Sequence, residues 1–156
     1  MSKKSARTPL VTSGYETSIA RTVIAALIVV AGIVWIAVYI NFAKDAAEFV
    51  SAPGVDEPAN PLPWMADLER WNFLIGFLLI FLGLTLLAHK HTPLGRGRGV
   101  VIGMLGCFLI GLIWIVLFYF VGQEDAIPVM KDLDQFNLVV GIGFMAVGFT
   151  YATKWE

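Results

Sequence analysis

Long uncharged apolar stretches alternate with short polar ones along this chain. No charged residue lies between Arg21 and Lys44, Arg70 and Lys90, Arg98 and Glu124, or Asp134 and Lys154, gaps of 22, 19, 25 and 19 residues. A helix needs about 20 residues to cross a hydrocarbon core of about 30 Å. The pattern therefore predicts an all-α membrane protein with four transmembrane helices, near Ile19–Phe42, Trp71–Ala88, Val100–Val121 and Phe136–Thr153. Lipid offers no partner to backbone amides and carbonyls, so only helices and closed barrels can cross it. Barrel strands would alternate polar and apolar residues, and these stretches do not.

The segments between the stretches set the organisation. A basic tail over 1–18 precedes a first helical hairpin over 19–88, a linker over 89–99 and a second hairpin over 100–156. Pro53, Gly54, Pro58, Pro61 and Pro63 argue against a long helix in the first loop. Pro93, Gly95 and Gly97 make the linker flexible by composition. The first stretch follows a basic start, yet it far exceeds the 7–15 apolar residues of a signal peptide.

Charge then orients the chain. The tail carries Lys3, Lys4, Arg7 and Arg21 against Glu16, and the linker carries Lys90, Arg96 and Arg98 with no acid. The loop after the first stretch holds Lys44 and Arg70 against Asp45, Glu48, Asp56, Glu57, Asp67 and Glu69. The loop after the third holds Lys131 against Glu124, Asp125, Asp132 and Asp134. Basic cytoplasmic loops are the rule in membranes, so both termini and the linker are expected inside and both acidic loops outside. Trp64, Trp71, Trp155, Tyr39, Tyr119 and Tyr151 fall near the expected interfaces.

The two halves echo each other. Gly32-Ile33-Val34-Trp35-Ile36 matches Gly111-Leu112-Ile113-Trp114-Ile115 at an offset of 79. Pro63, Met65, Asp67, Leu68, Trp71, Asn72, Gly76, Gly83 and Thr85 match Pro128, Met130, Asp132, Leu133, Phe136, Asn137, Gly141, Gly148 and Thr150 at an offset of 65. The first loop is therefore 14 residues longer, around Ser51 to Asn60. Matched proline, aspartate, asparagine and tryptophan at constant spacing point to an internal duplication. Each unit has an even number of spans, so the repeats are parallel, unlike the inverted-repeat transporter plan.

Apolar residues form 58% of the sequence and charged ones 15%, against roughly 45–50% and 25% in soluble domains. No charge falls at mid-membrane, where proton relays and voltage sensors keep theirs. No nucleophile with a base, paired acids, phosphate-binding loop or metal-ligand cluster is visible, so no enzyme activity, cofactor or nucleic-acid partner is expected. Asn72 and Asn137 are candidates for a polar contact with the other hairpin or a partner; the plainer reading is a helix N-cap. Asp67 and Asp132 suit a pre-helical or first-turn position, where negative charge complements the helix dipole. Gly32, Gly76, Gly83, Gly141 and Gly148 are small enough for helices to approach closely. Gly103, Cys107 and Gly111 form a further small-residue stripe, joining either the two hairpins or a second protein, including another copy of this chain. Cys107 is read as a packing residue. Trp35 and Trp114 could anchor a partner helix, or serve as large apolar side chains. His89 and His91 suit a helix C-terminus, and Lys90, Arg96 and Arg98 can touch anionic lipid heads.

The stretches Trp71-Asn72-Phe73-Leu74-Ile75-Gly76-Phe77 through Gly83, and Phe136-Asn137-Leu138-Val139-Val140-Gly141 through Gly148 to Ala152-Thr153-Lys154-Trp155, resemble the second span of the CrgA family of actinobacterial cell-division membrane proteins. Gly111 to Tyr119, with Trp114, resembles that family's first span, and Gly32 to Tyr39 is a weaker copy. Family members have two spans, so this chain resembles two fused units. The resemblance implies a scaffold or regulator at the division septum, in the cell membrane, that recruits divisome and peptidoglycan-synthesis proteins. A small multi-pass transporter or channel component is the alternative.

Overall fold

A computed structural model describes residues 17–49, 54, 56, 58–121 and 127–154, and every regular element among them is helical. Most of the basic tail, part of the extra first-loop segment, Glu124, Asp125 and Trp155 lie outside the described residues. In chain order the elements are α1 (Ile19–Phe42), α2 (Lys44–Ala47), α3 (Pro63–Ala66), α4 (Trp71–Leu87), a 3-10 turn (Pro93–Gly95), α5 (Arg98–Val121), α6 (Pro128–Leu133) and α7 (Phe136–Ala152). α1 and α5 have 24 residues each and are long and apolar enough to cross a membrane. α4 and α7 are equally apolar but have 17 residues.

Local chemistry sets the boundaries. Ser18 caps α1, its Oγ accepting from the Arg21 amide at 3.4 Å. Proline opens both α3 and α6 at a position where no amide is needed. Glu69 and Asp134 then take positive φ values of 43° and 45°, turning the chain into α4 and α7. Such angles are uncommon outside glycine, and here they recur at the same place in each half.

α1 runs antiparallel to α4, and α5 antiparallel to α7. In the first pair Gly83 lies against Ala25 and Val29, Gly76 against Gly32 and Ile36, and Phe73 against Tyr39. In the second, Gly148 lies against Met104 and Cys107, and Gly141 against Gly111 and Ile115. α4 and α7 meet side by side at Phe81 and Phe144, whose rings are 5.1 Å apart. The short helices thus form the middle of the body. The long ones flank it and leave most of their surface open, with only 22% of each apolar window buried. Exposed Ile24, Leu27, Leu105 and Leu109 could not all face water in a stable soluble protein.

The linker, flexible by composition, makes several specific contacts. Thr92 is fully buried, and its hydroxyl donates to the carbonyls of Leu87 and His89. The Ser18 amide donates to the His91 carbonyl at 2.9 Å, and Arg96 Nη2 donates to Thr17 Oγ1 at 2.8 Å. A Cβ on Gly95 would lie 2.0 Å from the His89 oxygen, and one on Gly99 1.9 Å from that of Pro93. These glycines allow the backbone to fold back on itself rather than making it loose.

Candidate functional site

Asn72 and Asn137 are both completely buried. Neither is an N-cap: Arg70 and Gln135 hold those positions and make no side-chain cap bond. Instead the asparagine amide reaches back. Asn72 Nδ2 donates to the carbonyls of Met65 at 2.7 Å and Glu69 at 2.9 Å. Asn137 Nδ2 donates to those of Met130 at 2.6 Å and Asp134 at 2.8 Å. Each asparagine therefore ties α3 or α6 and the positive-φ residue to the start of α4 or α7. Glu69 and Asp134 were missed as a pair by sequence reasoning, although both are acidic and lie three residues before the matched asparagines.

The glycine stripes pack within each half, rather than between hairpins or onto a second protein. A Cβ on Gly32 would sit 2.5 Å from the Gly76 oxygen, and one on Gly111 2.5 Å from the Gly141 oxygen. A Cβ on Gly76 would strike Ile36 at 2.3 Å, and one on Gly141 Ile115 at 2.4 Å. Gly103 receives the Tyr151 ring, whose nearest atom would be 2.4 Å from a Cβ there. Cys107 is buried in the same seam.

Different residues join the halves. Tyr151 Oη donates to the Leu84 carbonyl at 2.8 Å, and Phe81 occupies the space beside Gly143. Trp114 stacks edge-on against Phe77 at 5.6 Å, whereas Trp35 packs against Trp64 of its own half. At the other end Lys44 Nζ pairs with Asp132 Oδ1 at 2.8 Å. Asp67 caps the end of α3 and Asp132 lies in the last turn of α6, each shortly before α4 or α7, and Asp132 also pairs with a lysine. Tyr39 and Tyr151 are buried between helices, while Trp64, Trp71 and Tyr119 are exposed. Trp35 Nε1, Trp114 Nε1, Asn72 Oδ1, Asn137 Oδ1 and Asp132 Oδ2 are buried without a hydrogen-bond partner among the described residues.

His89 follows the end of α4, and its Nδ1 accepts from the His91 amide at 3.3 Å. Desolvation, then the nearby Arg21, His91, Lys90 and Lys154, push its pKa below the ordinary 6.5. This downward shift is opposite to the one that attraction to a helix C-terminus would produce. Among the described residues no cluster of three or more His, Cys, Asp or Glu could hold a metal.

The recurrence of the asparagine and glycine contacts gives the body two structurally matching halves, and comparison with known proteins divides it similarly. The family model described as cell division protein CrgA matches twice, over residues 2–91 and 88–156. The chain belongs to the CrgA family. A CrgA of Streptomyces avermitilis is 46% identical over 66 residues, covering 42% of this chain and 75% of the relative. One of Corynebacterium aurimucosum is 36% identical over 74 residues, covering 44% and 79%. One of Corynebacterium efficiens is 36% identical over 53 residues, covering 34% and 57%. No solved structure matches. The chain is accordingly a membrane protein of cell division with CrgA sequence in both halves.

Proposed function

We propose that two fused CrgA units form one four-span scaffold or regulator in the plasma membrane, enriched at the division septum with both termini cytoplasmic. The double match of the family model carries this reading. The units are 19–88 and 100–156, joined by the linker over 89–99. Support for four crossings comes from α4 and α7, which expose Leu74, Leu78, Leu82, Val139, Ile142 and Phe149 although they lie in the middle of the body. At 1.5 Å per residue they span about 26 Å, a modest mismatch that a bilayer accommodates by thinning.

Divisome and peptidoglycan-synthesis proteins are the proposed partners, and a second copy of this chain is a further one. Because the glycine stripes are occupied within each half, partners meet the outward faces of α1 and α5 and the acidic outer loops. A fluorescent fusion at the amino terminus tests the reading in dividing cells. Enrichment at midcell before constriction is expected. Uniform membrane signal throughout constriction would contradict it and favour a transporter or channel role.

A further inference from the structure

An apolar groove of about 460 Å³ lies between α4 and α7. Phe73, Phe77, Phe81 and Val140 contribute its lining, and Arg70 and Asp132 stand at one end. Its extent along α4 is telling. From Trp71 to Phe81 is ten residues, or about 15 Å of helix rise. That is half of a hydrocarbon core of about 30 Å. A partner helix crossing the membrane would need a groove running the full depth, whereas one leaflet's acyl chain needs only this.

The polar end carries a second observation. The Asp132 side chain is only 9% exposed; its Oδ1 pairs with Lys44, while its Oδ2 is buried and has no partner among the described residues. A buried carboxylate oxygen without a donor is costly, and its residue lines the groove. Arg70, beside it, is exposed and supplies a cation suited to a phosphate. The surrounding outer segments carry Asp45, Glu48, Asp67, Glu69 and Asp134, a field that disfavours a net anionic headgroup.

We propose that this groove holds one aminophospholipid of the outer leaflet. An acyl chain lies along Phe73 and Phe77, the phosphate meets Arg70, and the ammonium donates to Asp132 Oδ2. The proposal rests on the four-span reading, but its test depends on neither topology nor septal location.

The full chain, purified in nonionic detergent, is mixed with phosphatidylethanolamine or phosphatidylglycerol of matched acyl chains, and retained lipid is counted by native mass spectrometry. One phosphatidylethanolamine per chain is expected to survive conditions that strip phosphatidylglycerol. Asp132→Asn should lower its retention about tenfold, the loss of one charge-assisted hydrogen bond. Lys44→Gln breaks the ion pair but keeps the carboxylate, so it should retain the lipid. Val139→Phe narrows the groove and should expel the chain; if circular dichroism shows that variant unfolded, Leu78→Phe replaces it. Equal retention of the two headgroups overturns the proposal, as does undiminished retention in Asp132→Asn or in the folded groove-filling variant.

Discussion

At the residue scale, the buried asparagines show how a polar side chain can hold a turn within an apolar body. Each Nδ2 satisfies two carbonyls that lie where a short helix stops and the chain reverses. Asn72→Leu or Asn137→Leu leaves the Met65 or Met130 carbonyl without its buried side-chain donor, at about 1–3 kcal/mol, while the Glu69 and Asp134 carbonyls keep a backbone amide. Thermal unfolding in detergent should shift down for either variant, and an unchanged transition would refute the latch. The matched spacing made both asparagines visible in the sequence. Their role was not, because an N-cap and a back-reaching amide occupy nearly the same sequence position. His89 belongs to this scale too. Its lowered pKa means that the folded protein favours the neutral ring, while the unfolded chain takes up a proton at about pH 6.5. Stability from this group is present above that pH and is lost as pH falls. An NMR titration should place the His89 midpoint below 6.5, and a midpoint above it would refute the assignment.

At the scale of elements, close approach decides the pairing. Gly32 against Gly76 and Gly111 against Gly141 put backbone where a side chain would otherwise stand. Gly76→Leu or Gly141→Leu should therefore force α1 from α4, or α5 from α7, at a cost of about 1–3 kcal/mol or more. Gly106→Leu is the matched control, since a Cβ there meets nothing within 4 Å. Comparable unfolding temperatures for all three would contradict the seam. The helices themselves were legible from the uncharged stretches, and their boundaries fall within about two residues of those expected. Which helix each glycine would meet was not legible, because an apolar helix has no polar face to mark its outward side. The linker misled for a related reason. Gly95 looks like flexibility in a sequence, yet only its contact with His89 reveals that it is needed for tight folding.

For the whole molecule, the two matching halves pack together as an unequal pair. Trp114 and Asp132 have counterparts in Trp35 and Asp67, but other contacts between the halves use residues without one: Tyr151 corresponds to Leu86, and Gly143 to Leu78. Constant spacing revealed the repeat but could not reveal this interface, which depends on where the copies differ. The account depends on four crossings that keep the basic linker inside and the acidic loops outside. Single cysteines at Ala59→Cys and Arg98→Cys, each in a Cys107→Ala background, test this most directly with a membrane-impermeant thiol reagent on intact cells. Ala59→Cys should be labelled and Arg98→Cys only after the membrane is opened. Labelling of Arg98→Cys in sealed cells, or protection of Ala59→Cys, would contradict the four-span arrangement.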